Sequence, residues 1–242
     1  MTDESSLRAT DVTRTFGDVT ALSGVSISIP PGEVVALIGP NGSGKTTLLR
    51  VLAGLLSPTA GTVDYEESDA VRFLGYLPQE PTFRPGFTTL ETAAFYARLV
   101  DDDPADLLDR VGLGGVADRR VEALSGGMTR LLGIAQALAG APPVLALDEP
   151  ASGLDPGMSE LVYDIVDGLA EEGHAVVVTS HDLPAVERTA DRIVVLDRGE
   201  VVAEGTPTEL RERTGGPLHE TFTSLVGGDQ DIVAVRTRGA SE

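Results

Sequence analysis

A short glycine-rich segment between an apolar run and a helical pattern constrains the fold of this 242-residue chain more than any other feature. GEVVALIGP, at residues 32–40, is a continuous apolar run bounded by glycine, typical of a strand buried on both faces of a sheet. KTTLLRVLAGLL, at residues 45–56, has helical spacing and stops before Ser57-Pro58. A strand, a glycine loop and a helix in this order predict an α/β domain.

The glycine loop has the complete spacing of a phosphate-binding loop, Gly39-x-x-x-x-Gly44-Lys45-Thr46. Glycines let backbone N–H groups turn inward around phosphate oxygens, and the following helix adds its positive N-terminal dipole. Lys45 is the only lysine in the chain, so the guanine-reading NKxD pattern, which needs another lysine, is absent and a GTPase is disfavoured. The predicted nucleotide contacts are Gly39, Pro40, Asn41, Gly42, Ser43, Gly44, Lys45, Thr46 and Thr47.

Composition limits the partners that such a chain can have. It carries 18 basic and 38 acidic side chains, a formal net charge of −20 and a pI near 4.4. This surface repels phosphate backbones and so excludes a nucleic-acid partner bound by general electrostatics. Strong acidity with almost no lysine predicts a cytoplasm of high salt, where screening weakens self-repulsion. Neither a secretory signal nor an apolar run of about 18–20 residues is visible, so we expect any membrane role to come through a partner.

The middle of the sequence differs in character from its ends. Helical patterns over about residues 80–140 predict an α-helical insertion, opened by Thr88/Thr89 with Glu91 in the first turn. The runs VLALDEP, AVVVTSHD and DRIVVLDRGEVVAEG predict strands, the last of them a pair joined by a turn at Asp197-Arg198-Gly199. His174 and His219 lie in no motif, and we interpret both as surface residues.

Two further motifs have the residue types that phosphate chemistry needs. VLALDEP ends a buried strand with Asp148, placed to hold Mg²⁺ directly or through water, and Glu149, placed to accept a proton from an attacking water. In LSGGM, Ser125 can cap the following helix, while Gly126 and Gly127 leave its N-terminus open to an anion.

Across nearly its whole length the sequence resembles an ABC transporter ATP-binding subunit. The ordered set that carries this resemblance is Phe16, GPNGSGKTT, Gln79 in GYLPQE, LSGGM, VLALDEP, SGLD at Ser152–Asp155 and His181 in TSHD. The resemblance implies a P-loop NTPase (RecA-like) α/β core with an N-terminal antiparallel β subdomain and an inserted α-helical subdomain. It implies an ABC ATPase domain at residues 1–225, with the core at about 1–79 and 141–205, the helical subdomain at about 80–140 and a tail at 226–242.

The same resemblance implies roles for single residues, with ATP and Mg²⁺ as ligands. Phe16 matches the aromatic residue that stacks on adenine, and Asp155 would bridge two subunits. The signature, Ser125, Gly126 and Gly127, would meet the γ-phosphate across a head-to-tail dimer that encloses two ATP molecules. His181 would hold the γ-phosphate, and Gln79 would sense Mg²⁺ and link the site to a transporter partner. The implied catalytic residues are Glu149, His181 and Gln79, and the implied Mg²⁺ ligands are Thr46, Gln79 and Asp148.

Departures from the family pattern leave the phosphate and Mg²⁺ ligands intact. Met128 stands where glutamine commonly ends the signature, and Ala151 replaces the frequent threonine after DEP, so hydrolysis is expected to survive. The SGGM form resembles branches that work with export-type or integral-membrane ABC permeases, and the short distance from Gln79 to Ser125 favours the same branches. LHETFTSLVGG resembles the C-terminal helix of the drug- and antibiotic-export branch. GYLPQEPTF, ADRRVEALSGGM and GIAQAL are similar to the ATPase of the copper-handling system that matures nitrous oxide reductase.

Two classes of function remain open. The leading hypothesis is an ATPase that powers a membrane transporter, with the permease in a separate chain and a second ATP-binding subunit, expected to be another copy, as partners. The alternative is a soluble ABC ATPase without transport, such as a cofactor-assembly ATPase. DNA-repair members need a coiled coil that the segment from Gln79 to Ser125 is too short to hold. A regulatory subunit without turnover is disfavoured because Glu149 and His181 are both present.

Overall fold

The computed structural model describes residues 6–66 and 70–226. The strands of this part are β1 (Leu7–Phe16), β2 (Val19–Ile29), β3 (Val34–Ile38), β4 (Ala60–Tyr65), β5 (Leu74–Leu77), β6 (Val144–Asp148), β7 (Ala175–Thr179), β8 (Arg192–Asp197) and β9 (Glu200–Gly205). The helices are α1 (Lys45–Leu52), α2 (Thr89–Ala97), α3 (Pro104–Arg110), α4 (Gly126–Leu138), α5 (Pro156–Glu171), α6 (Leu183–Thr189), α7 (Pro207–Thr214) and α8 (Leu218–Val226). Short 3₁₀ turns lie at Gly114–Val116 and Val121–Ala123.

A six-stranded sheet in the order β5-β6-β7-β3-β8-β9 forms the centre of the fold. Neighbouring strands are parallel except β8 and β9, which form the predicted antiparallel hairpin. Every residue of β3, β6 and β7 is buried. Alternate residues of β3 enter two hydrophobic cores, one on each face: Val34, Ala36 and Ile38 in one, Val35 and Leu37 in the other. Burial on both faces explains why these strands read as continuous apolar runs rather than as alternating patterns.

A second sheet, antiparallel and ordered β2-β1-β4, lies on the N-terminal side of the chain. Its apolar residues, including Leu7, Val12 and Leu22, enter the same core as Val35 and Leu37 of β3. Together the two sheets confirm the α/β class and the N-terminal antiparallel subdomain.

Along the chain, helices α2, α3 and α4 follow β5 and precede β6, in the region where the helical insertion was predicted. Thr88 caps α2 as predicted, since its side chain accepts from the Glu91 N–H while the Glu91 carboxylate accepts from the Thr88 N–H. Helix α4 begins at Gly126, directly after Ser125, so Ser125 caps it as predicted. Two glycines have low intrinsic helix propensity, so the cap at Ser125, rather than propensity, sets this start.

His174 is buried, with Nδ1 2.7 Å from the Pro142 carbonyl oxygen, so its interpretation as a surface residue was wrong. His219 is exposed as expected.

The proposed tail at 226–242 lies, from residue 227 onward, outside the described residues, and the domain boundaries stay a prediction. Within the described part of the chain, no helix has the length and apolar character needed to cross a membrane.

Candidate functional site

Four loops meet at one edge of the central sheet. The glycine loop follows β3, Gln79 follows β5, Glu149 follows β6 and His181 follows β7. Because β3, β5, β6 and β7 are parallel, their carboxyl ends point to the same edge, where ligands of open α/β sheets bind. The topology therefore brings together residues as far apart in the chain as Gly42 and His181.

The glycine loop wraps into the start of α1. Gly42 and Gly44 have φ angles of +81° and +104°, which glycine adopts with little cost, and the Ser43 N–H donates to the Pro40 carbonyl at 3.1 Å. The Gly199 N–H, from the turn between β8 and β9, donates to the Ser43 carbonyl at 2.9 Å. The loop is thus held by its own turns and by a neighbouring hairpin, with the N-terminus of α1 open beside it.

The two left-handed glycines offer a matched pair of substitutions. A Cβ at Gly42 would meet nothing within 4 Å, whereas one at Gly44 would lie 2.7 Å from the Ala21 carbonyl oxygen. We expect Gly42→Ala to lower the free energy of unfolding by about 1–2 kcal/mol through the φ angle alone. Gly44→Ala should lower it by a further ~1–3 kcal/mol, because backbone must move. Chemical denaturation in concentrated KCl measures both, and equal losses would contradict the proposed overlap.

Lys45 is almost fully buried at the first position of α1, with a relative exposure of 6%. Its Nζ donates to the Gly39 carbonyl at 2.8 Å and to the Pro40 carbonyl at 3.2 Å. Burial lowers the pKa of the Lys45 ammonium, while the carboxylates of Glu149 and Asp148 act in the opposite direction. The loop carbonyls therefore hold the ammonium inside the loop, within electrostatic range of the Glu149 and Asp148 carboxylates.

Asp148 ends β6 and is completely buried. Its Oδ1 accepts from the Thr46 hydroxyl at 3.2 Å, whereas its Oδ2 is buried without a hydrogen-bond partner. A buried carboxylate oxygen with no partner is costly unless a cation or water meets it. Carboxylate and hydroxyl oxygens are the ligands that Mg²⁺ prefers, so Asp148 and Thr46 fit the predicted metal.

Gln79 lies on the side of Glu149 rather than beside Asp148. Its Nε2 donates to the Glu149 Oε2 at 3.4 Å, and the Glu149 Oε1 lies 2.8 Å from the His181 Nε2. The structure thus places the other two predicted catalytic side chains, His181 and Gln79, in contact with the carboxylate of Glu149. Glu149 itself is partly buried and has a left-handed φ of +48°.

A cavity of about 270 Å³ lies over the glycine loop. It is lined by Ala21, Gln79, Glu149, His181 and the loop residues Asn41, Gly42, Ser43, Gly44, Lys45, Thr46 and Thr47. Gly39 and Pro40 contribute their carbonyls to Lys45 instead. In the part of the chain that the structure describes, none of the residues lining this cavity belongs to the LSGGM segment.

The LSGGM segment forms the N-terminus of α4. The Ser125 hydroxyl accepts from the Met128 N–H at 3.2 Å, and both Ser125 and Gly126 are exposed. Gly127 is buried against Met158, where a Cβ would come within 2.5 Å of that side chain. Asp155 caps α5 by accepting from the Met158 N–H at 3.1 Å and is also exposed. Ser125, Gly126 and Asp155 are therefore exposed at or beside helix starts, and they lie outside the cavity over the glycine loop.

Phe16, at the end of β1, is 47% exposed. The Arg14 guanidinium lies 4.5 Å from the centre of its ring, in cation–π geometry. This exposure differs from that of a core aromatic residue, and it leaves the ring accessible for stacking.

Arg130 is a buried residue for which the sequence predicted no role. From α4 its guanidinium donates to the carbonyls of Pro78, Gln79 and Ser152. Arg130 thus joins the signature helix to the Gln79 segment after β5 and to the SGLD segment after Glu149. Its position just after LSGGM was visible in the sequence. The burial that makes it a structural link depends on how α4 packs, which no local pattern shows.

Comparison with known proteins shows the family. The family model described as ABC transporter matches residues 22–152, more than half of the chain. The chain belongs to the ABC transporter family. The family predicted from the motifs is therefore confirmed, and this protein is an ATP-binding, ATP-hydrolysing subunit of the ABC type.

Curated relatives cover most of this ABC protein. The Nod factor export ATP-binding protein I of Rhizobium etli is 34% identical over 93% of this chain and 78% of that protein. The linearmycin resistance ATP-binding protein LnrL of Bacillus subtilis is 33% identical over 96% of this chain and 79% of that protein. The methionine import ATP-binding protein MetN of Caulobacter vibrioides is 39% identical over 90% of this chain and 72% of that protein.

Solved structures agree on the architecture. An ATP-binding cassette solved as a dimer in a post-hydrolysis state, bound to ADP and phosphate, superposes with a TM-score of 0.74 at 28% identity, covering 83% of this chain and 98% of that one. A nucleotide-free cassette from an ABC transporter superposes with a TM-score of 0.78 at 27% identity, covering 90% and 98%. The P-loop NTPase fold of this ABC ATPase is confirmed.

Proposed function

We propose that this ABC ATPase drives an export-type membrane transporter, with the permease in a separate chain, through ATP-dependent closure of two identical subunits. One observation carries the dimer: the signature residues Ser125, Gly126 and Gly127 lie outside the cavity that the glycine loop of the same chain forms. An exposed helix N-terminus with two glycines suits an anion, and a second copy can bring one to it. The post-hydrolysis cassette that this chain resembles is a dimer.

Within each site the chain's own residues divide the work. Lys45 and the loop N–H groups bind the β- and γ-phosphates, and Thr46 and Asp148 would hold Mg²⁺, with Gln79 approaching from the side of Glu149. Bound Mg²⁺ supplies positive charge that offsets the charge developing on the phosphates during transfer. Glu149 accepts the proton of the attacking water, and His181 and Gln79, both in contact with its carboxylate, orient the water and the γ-phosphate. Phe16 stacks on adenine.

Across the interface, the partner's signature completes each site. Ser125, Gly126 and Gly127 contact the γ-phosphate bound by the opposite subunit, and Asp155 bridges the subunits. ATP binding then closes the pair, and hydrolysis reopens it. The helical insertion, joined to the Gln79 segment through Arg130, transmits this motion to the permease.

The transport role rests on the relatives and on the branch features of the sequence. The Nod factor and linearmycin proteins are named for export and resistance, and a Streptomyces peucetius relative is named for daunorubicin/doxorubicin resistance. The Caulobacter relative is named for import, so identity alone does not set direction. The SGGM signature and the C-terminal LHETFTSLVGG segment favour export. We place the subunit on the cytoplasmic face of the membrane, in a high-salt cytoplasm suggested by the charge of −20.

Co-purification tests the transport role. Membranes are extracted in concentrated KCl with a mild detergent, the tagged chain is captured, and the bound proteins are identified by mass spectrometry. We expect a multispanning permease in stoichiometric amount, and we expect its reconstitution with this chain in vesicles to stimulate ATP hydrolysis. Recovery only in soluble complexes would refute the transport role and favour a cofactor-assembly ATPase.

A further inference from the structure

Thr179 is a polar residue at the end of an otherwise apolar strand, and the predicted mechanism does not use it. It is the last residue of β7, is fully buried and pairs in register with Asp148 of β6. Thr179 therefore lies one strand away from both catalytic carboxylates. A hydroxyl in that position costs free energy unless it is hydrogen-bonded on both its donor and its acceptor side.

The Thr179 hydroxyl both donates and accepts a hydrogen bond, one with the side chain of Asp148 and one with the backbone of Glu149. Oγ1 donates to the Asp148 Oδ1 at 2.8 Å. It also accepts from the backbone N–H of Glu149 at 2.8 Å. Valine would fill the same space without either bond, whereas serine would keep both.

The first bond fixes the orientation of the Asp148 carboxylate. Its Oδ1 accepts from both Thr179 and Thr46, and its Oδ2 has no hydrogen-bond partner. A rotation of the carboxylate would break both hydrogen bonds, so the two threonines together hold the group that is proposed to bind Mg²⁺. Thr46 lies in the first turn of α1, whereas Thr179 belongs to the central sheet.

The second bond holds the backbone that aims Glu149. A φ of +48° is unfavourable for a residue with a Cβ, and it persists where surrounding contacts over-determine it. The Glu149 N–H bonded to Thr179 is such a contact. In this backbone conformation the carboxylate reaches His181 at 2.8 Å and Gln79 at 3.4 Å.

We propose that Thr179 is a positioning residue for hydrolysis, whose one hydroxyl fixes both the orientation of the Asp148 carboxylate and the backbone of Glu149. The inference rests on the proposed roles of those two carboxylates. Thr179 touches neither substrate nor metal and acts only through them.

Steady-state kinetics of Thr179→Val and Thr179→Ser give the first test, in concentrated KCl. Thr179→Val should lower kcat about 10–100-fold while KM for ATP stays within about threefold, because binding groups are untouched and only alignment is lost. Thr179→Ser should keep kcat within about threefold of wild type. Thr92→Val is the matched control, since Thr92 is also buried and its hydroxyl donates to the Thr88 carbonyl at 2.9 Å in α2; kcat should not change.

A binding measurement adds a readout that does not depend on turnover. In a Glu149→Gln background, the melting temperature is followed with ATP while Mg²⁺ is titrated. Adding Thr179→Val should raise the Mg²⁺ concentration for half-maximal stabilisation about tenfold, because Asp148 can rotate. With ATP and EDTA the two proteins should be stabilised equally. An unchanged Mg²⁺ dependence, or a Thr179→Ser variant as slow as Thr179→Val, would overturn the proposal.

The outcomes separate this inference from the proposed mechanism. If Glu149→Gln keeps its turnover, the general-base assignment fails. If Glu149→Gln is inactive and Thr179→Val turns over like wild type, only the role of Thr179 fails. Should Thr179→Val not fold, Thr179→Ala removes the same hydroxyl with less volume in the core, and the same limits on kcat and Mg²⁺ dependence decide.

Discussion

Replacing Glu149 with glutamine is expected to abolish steady-state ATP hydrolysis while leaving ATP binding intact. The side chain keeps its shape, but the carboxylate that accepts the proton becomes a neutral amide, so turnover should fall by at least about 100-fold. Because ATP would close the two subunits and hydrolysis would no longer reopen them, a dimer should accumulate with ATP and Mg²⁺. Phosphate release and size-exclusion chromatography with light scattering measure the two effects.

Glu171→Gln is the matched control for this substitution. Glu171 is exposed at the end of α5, so the same change of charge there should leave turnover at the wild-type level. Near-wild-type hydrolysis by Glu149→Gln would refute the general-base role. Loss of hydrolysis without dimer accumulation would argue against closure driven by ATP.

A mixture of two inactive variants is expected to regain activity if the signature acts across the interface. Lys45→Ala removes the phosphate-binding ammonium but keeps the signature. Ser125→Asp keeps a good cap for α4, since aspartate and serine cap equally well, but sets a negative charge where the γ-phosphate is predicted. Each variant alone should be nearly inactive, because both sites of its dimer lack one essential part.

In the mixed dimer, one site combines the intact glycine loop of the Ser125→Asp subunit with the intact signature of the Lys45→Ala subunit. With random pairing of equal amounts, about half of the dimers are mixed, and each mixed dimer has one intact site and one damaged site. Roughly a quarter of all sites are then intact, so turnover should recover to roughly a quarter of the wild-type value. If the signature served the site of its own chain, every site in the mixture would be damaged. The absence of recovery in a mixture shown to form mixed dimers would contradict the head-to-tail arrangement.

The parts of this molecule that follow from local sequence are those whose chemistry is complete within a few residues. The phosphate loop at Gly39–Thr47 was recognisable from its spacing alone, because two of its glycines accept φ angles that other residues resist and α1 begins within it at Lys45. Burial of β3, β6 and β7 on both faces was visible as apolar runs. Ser125 was visible as the cap of α4 for the same reason, since a cap depends on a few contiguous residues.

Local sequence also explains why the chain keeps a single lysine at position 45, and the structure shows which groups hold it. The sequence placed Lys45 in a loop where a compact ammonium suits phosphate oxygens better than a planar guanidinium. The structure adds that the loop carbonyls of Gly39 and Pro40 hold this ammonium in a nearly buried position.

The sequence by itself determined the family and the order of the motifs, and it predicted the phosphate-binding and acidic residues, because each of these depends on short, contiguous spacing. Only the tertiary structure decided that Thr179 lies against Asp148, that Gln79 and His181 meet on Glu149, and that His174 is buried. These contacts join residues from different strands and loops. Strand order comes from how the sheet and its helices pack, which is a non-local balance of burial and chain connection.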